Sequence, residues 1–376
     1  MKRRQLLVGT AALTLAQLTG GCGSKVTLKI QPLKSSVPIQ LVSKFRSRLE
    51  SHPELKILPQ GQLKDLFALL QTWKQQSLSQ TQGTSPNLAD LVMIGDYWLT
   101  LAIRQNLIQP LDPAQLSRWQ QLPEQWRKLV QRNNLGQLDP QGKVWAAPYR
   151  WGTTVIAYRA DKFKELGWKP PTDWSDLWRE ELRGRISLLD SPREVIGLTL
   201  KKLGKSYNTQ QLDKVPNLNA ELARLHQQAK LYSSDSYLQP LLLGDTWVAV
   251  AWSADILPLL KAQQEIQAVV PQSGTALWTE LWVQPAAAPS AALVQEWIDF
   301  CWQPQVATQL SLLTQASSPA IVGMKVEELP TALREDGLLL PDKGILNKSE
   351  FLLPLSEAAV EEYGALWRKI RSVGEA

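Results

Sequence analysis

The sequence predicts an α/β fold built from two lobes, and three observations lead to this prediction. A chain of 376 residues is longer than a single hydrophobic core usually supports, so two lobes are expected. Short apolar strands alternate with helical segments along most of the chain, which is typical of a mostly parallel sheet covered by helices. Hydrophobic residues make up 44% and charged residues 20% of the chain, as in ordinary globular domains.

The amino terminus has the features of an export signal. Residues 1–21 contain a basic start, an apolar run over 6–18 and small residues before Cys22, so a cleaved signal peptide is predicted. The order Leu-Thr-Gly-Gly-Cys ending at Cys22 resembles a bacterial lipobox, which implies that Cys22 is lipidated. The pair Arg3-Arg4 resembles a twin-arginine signal, and export by that route or by the general route stays open. Cys301 would then be the one remaining cysteine, predicted as a buried thiol outside any internal disulfide.

Composition argues against several function classes. The net charge of +6 falls to +3 once Lys2, Arg3 and Arg4 are removed with the signal, and no basic run is interleaved with aromatic residues. A nucleic-acid partner is therefore not predicted. Two histidines, His52 and His226, stand against 16 tryptophans, which disfavours a histidine-rich metal site and histidine-based catalysis. No cofactor or metal is predicted.

The first half of the chain is expected to alternate strands with helices. Periodicity predicts strands at 25–30, 55–58 and 88–94, and helices at 39–49, 63–73, 99–106 and 124–130. The run at 88–94 is apolar throughout, as in a strand buried on both faces. Asp96, Tyr97 and Trp98 follow its end, at the edge of the sheet where α/β folds bind ligands.

The second half continues with longer connections. Residues 143–159 are expected to form a strand, a break at Pro148, a turn at Gly152 and a second strand that crosses between the lobes. The return crossing is expected at 280–283, and the loop predicted over 328–350 is the least defined segment. Further strands are predicted at 186–189, 248–252 and 266–270, and helices at 192–203, 218–231, 238–243, 291–302, 304–313 and 360–370.

Residues 244–285 carry the clearest functional signal. Trp252, Trp278 and Glu280 stand where short apolar strands of this stretch end. An indole face beside a carboxylate suits a ligand that is both hydrocarbon and cation.

Six segments resemble the periplasmic spermidine/putrescine-binding family of ABC importers and occur in the same order. They are DLVMIGDYWLTLAIRQNLIQPLDP (90–113), VWAAPYRWGTTVIAYRADK (144–162), DWSDLWREELRGRISLLDSPREVIGLTLKKLGKSYNT (173–209), GDTWVAVAWSADIL (244–257), IQAVVPQSGTALWTELWVQP (266–285) and EEYGALWRKI (361–370). The resemblance implies a type II periplasmic-binding-protein fold with two crossing strands as hinge. Its lobes would comprise 22–154 plus 279–318 and 155–278 plus 319–376. It also implies a periplasmic location, with the lipid on Cys22 anchoring the protein to the inner membrane.

The resemblance also assigns a ligand-binding site. It implies tryptophan walls along an aliphatic chain, acidic groups that hold its amines, an aromatic pair after a strand, and a serine. The corresponding residues are Trp252, Trp278, Glu280, Glu194, Tyr97, Trp98 and Ser234. Alternatives remain open, namely core packing for the tryptophans and a role for Glu194 in the first turn of a helix. Asp96 and Asp255 are nearby acids without a family role, expected on solvated loops.

Several positions depart from the family pattern. Leu33, Ser36 and Ala316 stand where the family has aromatic residues, and Ser191 stands where it often has an acid. Asp190 or Glu350 could replace the missing polar contacts. The losses fit a weaker polyamine site, or a different cationic or zwitterionic solute.

The leading hypothesis is a monomeric binding subunit that delivers a polyamine to an ABC permease and its ATPase subunits, without enzymatic activity. A second is an exported hydrolase that uses Glu194 and Glu280 as acid and base. A third is a binding module for anions, which buried unpaired carboxylates would oppose. A fourth is a sensor that kept the fold and lost transport.

Overall fold

The computed structural model describes residues 27–50, 53–79, 88–289 and 292–372. The predicted signal peptide and Cys22 lie outside the described residues. The strands are β1 (Thr27–Gln31), β2 (Glu54–Ile57), β3 (Leu91–Gly95), β4 (Ile108–Gln109), β5 (Gln131–Arg132), β6 (Lys143–Val144), β7 (Ala147–Arg159), β8 (Ile186–Leu188), β9 (Ala229–Tyr232), β10 (Val248–Trp252), β11 (Ile266–Val269), β12 (Ala276–Pro285) and β13 (Glu350–Phe351).

Helices fill most of the connections between these strands. They are α1 (Ile39–Ser47), α2 (Leu63–Ser79), α3 (Leu99–Arg104), α4 (Glu124–Val130), α5 (Ala160–Glu165), α6 (Pro192–Lys202), α7 (Leu218–Gln228), α8 (Gln239–Leu243), α9 (Ser253–Leu260), α10 (Ala292–Cys301), α11 (Pro304–Thr314), α12 (Pro319–Val322), α13 (Thr331–Arg334), α14 (Lys343–Leu346) and α15 (Glu357–Arg371). Within the described ranges, none of them is long and apolar enough to cross a membrane.

Most predicted elements are present, but three segments of the second half need correction. The predicted helix at 218–231 is too long, because α7 ends at Gln228 and the chain continues as β9, which pairs with β8. The helix α9 was not predicted, because Pro258 inside it weakens the helical pattern. The segment 328–350 is not one loop but contains the short helices α13 and α14.

The main sheet is mixed, with the order β2-β1-β3-β12-β7-β10-β8-β9. Parallel pairs lie at both ends, β1 with β2 and β3, and β8 with β9 and β10. In the middle, β12 and β7 pair antiparallel to each other, and each also pairs antiparallel to its outer neighbour. This arrangement confirms the predicted α/β class with a mixed sheet flanked by helices.

Strand β7 corrects the prediction of a break at Pro148 and a turn at Gly152, because it runs unbroken for 13 residues. The register with β12 shifts between Glu280 and Leu281, so a bulge lies beside Pro148 and accommodates the missing proline N–H. Gly152 serves close packing instead of a turn. A Cβ atom at this position would lie 2.3 Å from Cζ2 of Trp278.

Two large hydrophobic clusters lie on either side of the β7–β12 pair. One contains β7 residues up to Trp151 and β12 residues from Leu277 onward, and the other begins at Val155 and includes Ala276. A small third cluster joins α9, α11 and the segment that follows α11, through Leu257, Ala307, Ile321, Leu329, Leu333 and Leu339. Cys301 is buried in the first cluster, as predicted, and burial raises the pKa of its thiol.

Candidate ligand-binding site

One face of β7 organises the site. Arg150, Gly152 and Thr154 alternate along the strand, so all three lie on the same face, over about 13 Å from first to last. Residues directly opposite each other on antiparallel strands share a face. The opposing pairs are Arg150 with Glu280, Gly152 with Trp278, and Thr154 with Trp252. The register of β7 therefore brings together three of the predicted site residues, which come from two other strands.

Glu194 is held at one end of this face. It lies in the first turn of α6, where the Ser191 hydroxyl accepts a hydrogen bond from its backbone N–H at 3.4 Å. The residue is 4% exposed, and its carboxylate accepts hydrogen bonds from the Thr154 hydroxyl at 3.1 Å and from Nε1 of Trp252 at 3.2 Å. Burial raises its pKa, although these two hydrogen bonds and the charge of Arg193 oppose the rise. No ion pair to Glu194 is formed by residues that the structure describes.

Glu280 is paired at the other end of the face. Nε and Nη2 of Arg150 donate to its two carboxylate oxygens at 2.6 and 2.7 Å, and both side chains are buried. Burial tends to lower the pKa of Arg150, but the Glu280 carboxylate outweighs this effect and the pKa is raised. The predicted amine-binding carboxylate is thus already neutralised within the chain. Arg150 was not among the predicted site residues. The alternation of side chains along a strand could have indicated it, because Arg150 lies two residues before Gly152 and therefore on the same face.

The two predicted tryptophan walls are both half-buried. Trp278 donates from Nε1 to the main-chain oxygen of Thr153 at 3.3 Å, and its ring lies over Gly152. Trp252 donates to Glu194 and meets the ring of Tyr237 edge to face, with the centroids 5.7 Å apart. Each indole is oriented by its own N–H group and keeps part of its ring surface exposed, as a ligand wall requires.

The aromatic pair after β3 divides into two environments. Tyr97 is 59% exposed and lies two residues after Gly95, which pairs with Glu280 across the strands. Trp98 instead stacks on Phe67, with the centroids 4.4 Å apart and an interplanar angle of 16°. Of the two, Tyr97 has free surface near the site.

The neighbouring acids differ from the expectation in one case. Asp96 was expected on a solvated loop, but it is 6% exposed, because the turn after β3 folds it against β12. Burial raises its pKa to about 7, against the opposing effect of a hydrogen bond from the Thr279 backbone N–H. Asp255 is exposed in the first turn of α9 and accepts a hydrogen bond from the Tyr237 hydroxyl at 2.6 Å.

The residues that depart from the family pattern pack against neighbouring residues or cap a helix. Leu33 packs against the first cluster, Ser36 and Ala316 are buried, and Ser191 caps α6. The two suggested replacements are engaged elsewhere, Asp190 with Arg371 at 2.8 Å and Glu350 with Lys201 at 3.0 Å. Ser234 is half-buried in the loop after β9. Over the described ranges, no three His, Cys, Asp or Glu side chains are grouped so that they could hold a metal ion.

Comparisons with known proteins agree with this architecture. Residues 86–348 match the family model of bacterial extracellular solute-binding proteins. The chain is 27% identical over 277 residues to the spermidine/putrescine-binding periplasmic protein of Salmonella typhimurium, covering 73% of this chain and 76% of that protein. It is 29% identical over 236 residues to the putrescine-binding periplasmic protein PotF of Escherichia coli, covering 59% and 62%.

A solved structure extends the comparison to three dimensions. The spermidine/putrescine ABC transporter substrate-binding protein PotD of Streptococcus pneumoniae superposes with a TM-score of 0.78 at 19% identity, covering 93% of this chain and 99% of that chain. This likeness confirms the predicted two-lobed fold.

Proposed function

The chain belongs to the bacterial extracellular solute-binding protein family, and on that premise we propose that it is the binding subunit of an ABC importer for an amine-bearing solute of the polyamine class. The solute would be captured between the lobes and delivered to a membrane permease with its ATPase subunits. The proposed lobes comprise 22–154 plus 279–318 and 155–278 plus 319–376, with the hinge where β7 and β12 cross between them. We also propose export by the signal at 1–21 and a lipid anchor on Cys22.

The observation that carries the proposal is the environment of Glu194. A buried carboxylate with no cationic partner among the described residues is costly, and an ammonium group of a ligand would compensate its charge. Trp252, which donates to this carboxylate, would also place its ring beside the bound ammonium. Methylene groups of the solute would pack on Trp252 and Trp278, gaining about 0.8 kcal/mol for each buried CH2.

The same contacts disfavour the alternative functions. A hydrolase would need Glu280 free to exchange a proton, but Arg150 binds both of its oxygens. A site for sulfate or another small anion would place a negative charge near the unpaired Glu194. Both considerations support a cation-binding role.

A thermal-shift panel on the purified mature protein tests the proposal. The panel contains putrescine, spermidine, mono-substituted amines, sulfate, thiosulfate and α-amino acids. A solute at a hundred times its dissociation constant stabilises the folded protein by about 2.7 kcal/mol. We expect stabilisation by at least one aliphatic amine and none by the anions. Stabilisation by an anion, with no response to any amine, would overturn the proposal.

A further inference from the structure

We propose that Arg150 sets the preference within the polyamine class, so that the favoured solute is a monocationic derivative of a diamine. One end of this solute is a primary ammonium group, and the far end is uncharged and accepts hydrogen bonds. This inference rests on the proposed function, because it takes Glu194 as the group that binds the ammonium. It assigns to Arg150 a specificity-determining role at the opposite end of the same face of β7.

The geometry makes the Arg150–Glu280 pair a fixed feature of the site. Two parallel hydrogen bonds of 2.6 and 2.7 Å join the planar guanidinium to the carboxylate, and the side chains are only 7% and 5% exposed. Bidentate contacts of this kind are the strongest that arginine makes with a carboxylate. Opening the pair for an incoming ammonium would leave a buried guanidinium without its partner.

The charges along the face follow from this pair. Without Arg150, two buried carboxylates, Glu194 and Glu280, would face the solute and suit a dication. With Arg150, the charge of Glu280 is compensated, and Glu194 is left as the buried carboxylate of this face that forms no ion pair with a described residue. A diamine bound to Glu194 would extend its second ammonium toward a guanidinium, and such like-charge contacts oppose binding.

Arg150 nevertheless has hydrogen-bonding capacity to offer. Its Nη1 atom reaches the main-chain oxygen of Thr314 at 3.4 Å, which is long for an N–H···O hydrogen bond. An amide or hydroxyl oxygen at the far end of a solute could accept from this group at a shorter distance. The resulting bond would be charge-assisted.

A carboxylate at the far end fits less well than a neutral acceptor. It would share the guanidinium with Glu280, so that its attraction to Arg150 would be offset by repulsion from the Glu280 carboxylate. Asp255 also acts on the charge of Arg150, but it is exposed and accepts the Tyr237 hydrogen bond, so water screens its effect on the solute. An uncharged acceptor obtains the hydrogen bond without the repulsion.

Calorimetric titration with three primary amines that share a four-carbon chain tests this inference. N-acetylputrescine carries one ammonium and an amide, putrescine carries two ammonium groups, and 4-aminobutyrate carries one ammonium and a carboxylate. For the wild-type protein we expect N-acetylputrescine to bind at least about tenfold more tightly than either of the other two. Tighter binding of putrescine would overturn the inference while leaving the proposed function intact, and tighter binding of 4-aminobutyrate, which is not a polyamine, would overturn both. Binding of none of the three amines, with an anion bound instead, would overturn both.

Two variants locate the effect at Arg150. Arg150→Met frees the Glu280 carboxylate, and Arg150→Gln does the same while keeping an amide that donates to Glu280, in case the methionine variant fails to fold. In either variant the preference should shift toward putrescine by about tenfold or more. Arg104→Met removes an exposed positive charge from α3 as the control and should leave the preference unchanged. An unchanged preference in both Arg150 variants would overturn the inference. The inference would also be overturned if the wild-type protein bound putrescine and this binding were lost in Asp255→Asn.

Discussion

Gly152 and Trp278 oppose each other across β7 and β12, so closely that the glycine has no room for a side chain. A Cβ atom at position 152 would lie 2.3 Å from Cζ2 of Trp278 and 2.4 Å from Oγ of Ser253, which itself accepts a hydrogen bond from the backbone N–H of Thr153. Both neighbours are anchored, so neither can move away without losing a hydrogen bond.

Gly152→Ala should therefore displace the Trp278 wall and weaken solute binding. Overpacking of this kind typically costs about 1–3 kcal/mol of folding stability, and calorimetric titration together with urea unfolding would measure both effects. Gly61→Ala is the matched control, because nothing lies within 4 Å of a Cβ atom at that position. Full affinity in Gly152→Ala would remove Trp278 from the proposed ligand contacts.

Removing the charge of Glu194 should weaken amine binding but stabilise the ligand-free protein. Glu194→Gln keeps a side chain that can accept from Thr154 and Trp252, but it loses the attraction to an ammonium group. Losing one partner of a buried charge pair costs about 2–5 kcal/mol of binding free energy. Without ligand, the variant should be more stable than the wild type at neutral pH, since burial raises the pKa of Glu194 and disfavours its ionised form.

Isothermal titration and urea unfolding of the ligand-free protein would measure the two effects of Glu194→Gln. Glu361→Gln, at an exposed position of α15, is the control and should change neither quantity. Unchanged amine affinity in Glu194→Gln would contradict the proposed role of this residue.

The sequence predicted the elements better than it predicted their pairing. Hydrophobic periodicity placed α4 and β10 at their observed ends, because each carries a complete local pattern. The Arg150–Glu280 pair joins residues 130 positions apart and depends on the register between two strands, which a single sequence does not specify. Proline and glycine were misinterpreted in β7 for the same reason, since the bulge and the Trp278 ring that accommodate them belong to β12.

The candidate site was predicted by residue type but not by charge balance. Tryptophan and glutamate predicted at strand ends indicated an amine site. Trp252 does end β10, but the prediction was wrong for Trp278 and Glu280, which lie inside β12 because this strand continues to Pro285. The register of β7 nevertheless brings the three residues together on one face. The sequence did not show that Glu280 is paired and that Glu194 is not, because this difference depends on side-chain contacts that form only in the folded chain. The burial of Asp96 was missed similarly, because the turn that carries it packs against β12.

Asp96 should make stability depend on pH in a predictable direction. Its pKa is raised from 3.8 to about 7 in the folded state, mainly by burial. The contribution of Asp96 to the free energy of unfolding is therefore fully present below pH 3.8, the pKa of this group in the unfolded state. It is lost as the pH rises through about 7. Three pKa units correspond to a change of the order of 4 kcal/mol.

Asp96→Asn should accordingly flatten the pH dependence of the unfolding free energy between pH 4 and 7, a window of about three units set by the two pKa values. Urea unfolding at a series of pH values would measure the slope. The control Asp65→Asn, in the exposed first turn of α2, should retain the wild-type slope. A wild-type slope in Asp96→Asn would show that other groups set the pH dependence.

The Arg150–Glu280 pair should show strong coupling in a double-mutant cycle. Arg150→Met or Glu280→Leu alone leaves a buried charge without its partner and should cost about 3–5 kcal/mol of folding stability. The double variant replaces the pair by apolar groups of comparable size and should lie within about 2 kcal/mol of the wild type. The exposed pair Lys128–Glu124, with side chains 61% and 68% exposed, provides a control cycle in which little coupling is expected.

Urea unfolding of the four proteins in each cycle gives the two coupling energies directly. The burial of Arg150 and Glu280 is what separates the two cases, because water screens the Lys128–Glu124 attraction and compensates either charge when its partner is removed. If the losses from the two single variants simply add in the double variant, Arg150 and Glu280 do not depend on each other. Glu280 would then be free to bind a second ammonium, and the preference for a monocation would lose its physical basis.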